Sequence, residues 1–330
     1  MSTLAPLLQA YFTERLVAQR RASPNTVASY RDTWCLLLRF AHDRTGRAPH
    51  ELALCDIDAP LVGAFLDYLE AERGVSVRTR NARLTAIRSL FHFAAYRHPE
   101  QGALIQRVLA FPPKRTRRSI VSYLIEEEME ALLAAPDRSR WIGRRDHALL
   151  LLALETGLRV SELTGLTCSD IRLGIGAHVH CTGKGRKERI TPLRHETRAI
   201  LQSWLDERAG GPTDALFPGP RGRRLSRDGV RRLLERHVAT ASLTCASLAT
   251  KQISPHVLRH SCAMRLRRHG VDLATIALWL GHEDIRTTHG TYLHADLATK
   301  EKALALTAPP NTAAGRYKPD DELITFLEGL

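Results

Sequence analysis

Residues 254–292, SPHVLRHSCAMRLRRHGVDLATIALWLGHEDIRTTHGTY, leave the backbone few choices. Ser254 followed by Pro255 marks a helix start: the hydroxyl accepts a hydrogen bond from a free N–H, and proline's fixed φ suits the first turn. Gly270 ends that helix, Asp272 caps another, and Gly281 ends the second. Punctuation this dense excludes one long helix and excludes a strand. It predicts two short helices, each closed by a glycine turn. His256 and Arg259 lie three apart, so they share a face near the positive end of the first helix dipole. His282 falls in the turn beyond the second helix, and Tyr292 follows ten residues later. A His, an Arg, a His and a Tyr delivered this way suit the handling of a phosphate.

The rest of the chain is consistent with a polyanionic partner. Lys and Arg total 48 against 35 Asp and Glu, a net charge of +13 over 330 residues. Arginine dominates, and its planar fork favours bidentate phosphate contacts; nucleic acid is the commonest such partner. The length suits two domains. Cys35, Cys55, Cys168, Cys181, Cys245 and Cys262 are scattered without a CxxC pair, which predicts buried free thiols in a reducing cytoplasm. The N-terminus lacks a basic leader and reads as a soluble helix, and no apolar run reaches membrane-spanning length.

Taken in order, residues 1–109 read as an all-helical domain. Leu4, Leu7, Leu8, Tyr11, Phe12 and Leu16 repeat at helical spacing, and Ser23-Pro24 starts a second helix. A third runs from about Ala59 to Arg73 and a fourth from about Val77 to Tyr96. Arg78, Arg80 and Arg83 ride on that fourth helix and are candidates to lie along DNA phosphates. Residues 110–120 form a basic, proline-stiffened linker, where Lys114, Arg115, Arg117 and Arg118 suit a strap over a DNA backbone. A second domain spans 121–310. Two further helices begin there, and Gly157 ends the second of them. Arg159 follows, with Ser161 as the expected cap of a short helix. His178–Thr182 and Arg189–Leu193 read as strands flanking the cationic glycine turn GKGRK, which projects Lys184. Seven arginines stand between Arg221 and Arg236 against Asp228 and Glu235; Arg224 and Arg227 are the DNA-contact candidates there. The predicted fold is therefore mainly α with a small antiparallel hairpin or sheet, in two domains.

TGLRVSEL, GKGRKERITPL, HVLRH, LGH and a following Tyr-x-His occur in this order. Each motif alone is unspecific, but the ordered set resembles the tyrosine recombinase family of phage integrases and Xer-type resolvases. The N-terminal helical part is similar to that family's core-binding domain. The resemblance implies roles residue by residue. Arg159 and Arg259 clamp the non-bridging oxygens of the scissile phosphate, and Lys184 protonates the leaving 5′ oxygen. His256 and His282 assist proton transfer and bind the phosphate, and Tyr292 is the nucleophile. It further implies a site-specific recombinase forming a 3′-phosphotyrosine without metal, ATP or other cofactor. The partners would be double-stranded DNA with inverted-repeat core sites, copies of the chain in a tetramer, and other recombinases of the same element; the location would be a bacterial cytoplasm, at the nucleoid.

The chemistry accounts for the residue types. Phosphoryl transfer spreads negative charge over equatorial oxygens, so fixed cations there stabilise the transition state. A protonated tyrosine is a poor nucleophile until a base or cationic field eases its proton away. The segment from His282 to Tyr292 is one residue longer than the compact family form, with Gly290 inside it, which predicts a local loop or bulge.

Three rival readings compete with this one. His256 and His260 have a zinc-ligand spacing, but no Glu follows His256 as in HExxH. A type IB topoisomerase uses similar chemistry, yet the helical N-terminal part and the motif wording favour recombination. A non-catalytic DNA-binding relative would not need every catalytic position filled. Last, residues 311–330 form a tail in which Asp320–Glu322 precede a one-sided stripe of Leu323, Phe326, Leu327 and Leu330. That stripe must dock, either on its own catalytic domain or on a neighbouring protomer.

Overall fold

The computed structural model describes residues 4–116, 122–183, 188–219 and 222–281. The chain divides into two compact units, Met1–Arg118 and Ser119–Leu330. The division falls inside the basic linker. Both are built mainly of helices, and the second also carries a small antiparallel sheet.

In the first unit, α1 (Leu4–Ala10) runs directly into a wider, π-helical stretch, Tyr11–Gln19. There follow α2 (Pro24–Thr45), α3 (Ala59–Ala71), α4 (Val77–Arg97) and α5 (Gly102–Leu109). Their starts are set by side-chain caps: Ser23 accepts from the Thr26 N–H at 3.2 Å, Asp58 from Leu61 at 2.8 Å, and Ser76 from Thr79 at 3.2 Å. Helix α4 packs against α2, α3 and α5, burying Leu84, Ile87, Leu90 and Phe91 among Leu37, Phe65, Leu66 and Val108. The Tyr11 hydroxyl donates to Ser89 at 2.7 Å inside this core, and burial pushes its pKa up to about 12.

Of the arginines expected on the DNA face of α4, Arg80 serves this packing instead, and Arg83 takes part in it while staying half-buried. Arg80 is only 2% exposed, pairs with Glu70 at 3.5 Å and stacks over the Phe111 ring. It is a core arginine and is withdrawn from the DNA-contact set, because a buried, paired guanidinium cannot reach a phosphate. Arg83 donates to the Ser29 carbonyl at 3.0 Å and the Thr33 hydroxyl at 2.9 Å, tying α4 to α2. Arg78 remains exposed.

The start of the linker belongs to the first unit. Asn81 donates its amide to the Lys114 carbonyl at 2.7 Å and accepts from the Lys114 N–H at 3.1 Å. The Lys114 ammonium pairs with Glu70 at 2.5 Å. Arg115 is exposed, and Arg117 and Arg118 lie outside the described residues.

The second unit contains α6 (Glu126–Ala134), α7 (Trp141–Thr156), α8 (Val160–Gly165), β1 (Ile171–Arg172), β2 (His178–Thr182) and β3 (Glu188–Pro192). Helices α9 (His195–Arg208), α10 (Arg227–Ala241), α11 (Pro255–Arg268) and α12 (Leu273–Leu280) complete it. The strands pair antiparallel in the order β1-β2-β3, with Val179 opposite Thr191 and Cys181 opposite Arg189. Side chains alternate faces along a strand, so that register puts Arg189 on the inner side with the buried Val179 and Cys181. Helix α7 is central and buried along most of its length, packing on α6, α9 and α11.

This unit buries charge as well as apolar surface. Asp146 is fully buried and is satisfied by Arg145 at 2.6 Å, Arg236 at 2.9 Å and His237 Nε2 at 2.8 Å, which joins α7 to α10. Glu128 on α6 accepts from Ser247 and Lys251, each at 2.6 Å. Burial alone would raise its pKa, but these donors hold it below the ordinary carboxylate value. Among the free thiols, Cys181 and Cys262 are buried as expected, whereas Cys35 and Cys55 are exposed. No helix among the described residues is long and apolar enough to cross a membrane.

Candidate active site

The site is assembled from helix ends. Helix α7 stops at Gly157, whose φ of +61° only glycine adopts readily, and α12 stops at Gly281, φ +64°. The last carbonyls of a helix have no intrahelical donor and carry the negative end of its dipole. Arg259, in the second turn of α11 and 4% exposed, donates to Gly157 O and Leu280 O, both at 2.7 Å. Arg159 donates to Gly281 O at 3.1 Å. The ends of α7 and α12 therefore seat the two arginines, and the next residue in the chain is His282.

A Cβ at Gly157 would lie 2.6 Å from Leu280 Cδ2 and 3.2 Å from Cys262 Sγ. The turn before Arg159 is thus pressed against α11 and α12. Cys262 donates to the Glu155 carbonyl at 3.2 Å, and burial raises its thiol to about 12. It is a packing residue.

Arg159 caps α8 with help from a residue that motif reasoning passed over. The Glu162 carboxylate accepts from the Arg159 N–H at 2.8 Å and from its guanidinium at 2.8 Å. Ser161, expected to cap the short helix, lies inside its first turn with an exposed side chain, and Glu162 does the capping. The same two oxygens of Glu162 also accept from Arg189 of β3, at 2.8 and 3.2 Å. Burial would raise the Glu162 pKa, yet the Arg189 and Arg159 hydrogen bonds hold it below the ordinary value. Both residues had a sequence signal. Glu162 stands three after Arg159, the spacing of a reciprocal cap, and hairpin parity places Arg189 on the inner face.

His256 sits at the second position of α11, after the Ser254 hydroxyl accepts from the Val257 N–H at 3.4 Å. The residue is exposed at the surface. Partial burial, then the charges of Arg259 and Arg159, push its pKa below 6.5, so it is neutral near pH 7 and able to accept a proton. Arg259 stands three residues further along the same helix. His260, one turn on from His256, is buried and meets Tyr123 edge-on at 6.0 Å.

Lys184, His282 and Tyr292 lie outside the described residues, as do Gly290 and the tail 311–330. Lys184 stands two positions beyond the end of β2. Of the remaining DNA-contact candidates, Arg224 is exposed with one nitrogen on the Gly165 carbonyl at 2.8 Å, and Arg227 is exposed at the start of α10.

Comparison with known proteins gives a consistent result. The phage integrase family matches residues 122–298, and the phage integrase N-terminal SAM-like domain matches residues 10–98. The chain is 53% identical over 329 residues to the integrase/recombinase y4rC of Sinorhizobium fredii, covering 100% of this chain and 99% of that protein. It is 35% identical over 303 residues to the tyrosine recombinase XerC of Pelobacter propionicus, covering 89% and 93%. Among solved structures, XerH recombinase in a post-cleavage complex with palindromic difH aligns with a TM-score of 0.68 at 25% identity, covering 87% of this chain and 81% of that one. The Tn1549 transposon integrase with transposon right-end DNA aligns at 0.69 and 18% identity, over 93% and 100%, a likeness of fold.

Proposed function

The chain belongs to the phage integrase family and is a site-specific tyrosine recombinase; on that premise we propose how its own residues carry out the reaction. The observation that carries the proposal is the seating of Arg259 and Arg159 on the adjacent carbonyls of Leu280 and Gly281, immediately before His282. Two permanent cations are thus fixed on the two carbonyls that precede His282 in the sequence.

In the proposed reaction, Tyr292 Oη attacks the scissile phosphorus and forms a 3′-phosphotyrosine, and the P–O5′ bond breaks. Neutral His256 takes up the phenolic proton, and Lys184 gives a proton to the departing 5′ oxygen. Arg159 and Arg259, with His282, hold the non-bridging oxygens as charge builds on them. Rejoining reverses these steps, with a 5′ hydroxyl of the partner strand attacking the phosphotyrosine. One phosphodiester is exchanged for another, so the residues suffice without metal or ATP.

The substrate would be double-stranded DNA with inverted-repeat core sites, paired within a homotetramer at a bacterial nucleoid. Other recombinases of the same mobile element would join it. Domains 1–109 and 121–310 would close on the duplex through linker 110–120, where Arg115, Arg117 and Arg118 follow the backbone. Arg78, Arg83, Arg224 and Arg227 would add phosphate contacts, and tail 311–330 would couple protomers. These contacts predict a steep fall of binding with salt.

The decisive test is Tyr292→Phe on a nicked suicide substrate carrying the site. Covalent protein–DNA adduct should vanish while DNA binding survives. Adduct formation by Tyr292→Phe would overturn the nucleophile assignment.

A further inference from the structure

Glu162 poses an electrostatic problem for a clamp arginine. Its carboxylate, 3% exposed, lies 2.8 Å from the Arg159 guanidinium. Alone, an ionised Glu162 would cancel the charge that Arg159 brings to a phosphate. Coulombic attraction is strong in a partly buried site, so such a pair would draw Arg159 back from its substrate. Glu162 is nonetheless held in its charged form, its pKa lowered by the hydrogen bonds it accepts despite burial.

Arg189 changes the balance. Both its terminal nitrogens reach Glu162, at 2.8 and 3.2 Å, sharing its two oxygens with Arg159. The trio then carries one net positive charge, and Glu162 is shared instead of captured by Arg159. The same side chain packs under the α12 terminus: a Cβ at Gly281 would fall 2.9 Å from Arg189 Nη1. Gly281 is also the residue whose carbonyl accepts from Arg159. Finally, Arg189 lies on β3, the strand that returns from the turn bearing Lys184, opposite Cys181 in the ladder.

We infer that Arg189 is a positioning residue of the strand-transfer reaction: acting through Glu162, it restores the positive charge of Arg159 and ties β3 to it. The inference rests on the reading of Arg159 as a phosphate clamp. It assigns to the Arg of KERITPL a task distinct from DNA contact, since the guanidinium faces inward with an 11% exposed side chain.

The test compares single-turnover cleavage of a suicide substrate by wild type, Arg189→Gln, Arg189→Lys and Arg159→Ala at saturating DNA. Thermal unfolding and equilibrium DNA binding are measured for each. Arg189→Gln should slow cleavage about 10- to 100-fold, by analogy with partners that orient the ligands of a metal, with binding retained. Arg189→Lys keeps the charge without the fork and should recover part of the loss; its effect decides the matter if the Gln variant unfolds. A second substrate replaces one non-bridging oxygen of the scissile phosphate by methyl. On this neutral methylphosphonate the gap between wild type and the Arg189 variants should narrow, because less negative charge develops. An unchanged gap would mean that Arg189 only supports the fold, and wild-type cleavage by both Arg189 variants would remove it from the reaction. Wild-type cleavage by Arg159→Ala would instead fault the clamp on which the inference rests.

Discussion

The two units are similar in secondary structure but bury different things. Among the described residues of the first, the buried polar groups are Thr33, Arg80 and aromatic tips such as the Tyr11 hydroxyl; the rest of the interior is apolar, from Leu4 through Phe65 to Val108. The second buries Glu128, Arg145, Asp146, Glu155, Glu162, His237 and Arg259 in addition to its apolar core. Apolar burial is worth roughly 25 cal/mol per Å² and needs no partner. A buried ion pair roughly breaks even against its desolvation, so it adds orientation more than stability. The first unit is therefore constructed to hold a shape, and the second to hold cations still. That division has consequences that can be measured.

The sharpest way to break the comparison is through the apolar core. Phe65→Ala in the first unit, a fully buried ring, should cost about 3–5 kcal/mol of stability. Denaturant unfolding reads this directly. Once DNA is saturated, the single-turnover cleavage rate should stay near that of wild type. A slowed chemical step with intact binding would mean that the first unit also shapes the active site.

Arg259→Ala is the reciprocal case. One preorganised charge is typically worth about 10²–10³ in rate, so cleavage should fall by that factor while DNA binding, shared among many cations, drops far less. Equal losses of binding and cleavage would reduce Arg259 to a strut between α7 and α12.

The smallest effect is a difference in acid response. His147 is held below its ordinary pKa of 6.5 by burial, against a raising hydrogen bond to Leu133 O, and His256 by burial and the neighbouring arginines. The unfolded chain binds more protons than the folded one once pH drops below 6.5, so stability falls there and levels off below the depressed values. Glu128 and Glu162, with pKa values lowered from 4.5, give up their stabilisation only at lower pH. Both histidines lie in the second unit. Hydrogen exchange at pH 6.5 and pH 5 should therefore show faster opening in residues 122–281 than in residues 4–116. Uniform acceleration would remove the distinction.

The sequence spells out what local chemistry decides. Ser23-Pro24, Ser254-Pro255 and Asp272 each start a helix in the structure, and Gly157, Gly270 and Gly281 each turn at positive φ where an end was expected. Helix α9 and the short β1 had no such signal; His195 lacks a capping side chain before it, and the Arg194 N–H finds its acceptor on Glu155, far away in sequence. Charge was harder to read. Arg78 and Arg80 look alike in one dimension, but the two positions turn to different sides of α4, and only Glu70 and Phe111 reveal that Arg80 faces inward. Lys114 in the linker also pairs with Glu70, but unlike Arg80 it keeps half its side chain exposed. Arg159 and Arg259 were identified through the side chains of their motifs, whereas what aims them is the main chain of TGLRVSEL and LGH, whose carbonyls a reading of side chains does not reveal.

That last fact bears on how such a chain can evolve. The acceptors that aim Arg259 and one arm of Arg159 are the main-chain oxygens of Gly157, Leu280 and Gly281. Every amino acid carries the same oxygen, so codon changes nearby leave this part of the aiming machinery chemically intact. Mutation reaches it only through conformation, chiefly at Gly157 and Gly281, where any side chain meets both a left-handed backbone and a crowded neighbour. A lineage can therefore exchange its surface arginines freely while the orientation of Arg159 and Arg259 is inherited almost unaltered.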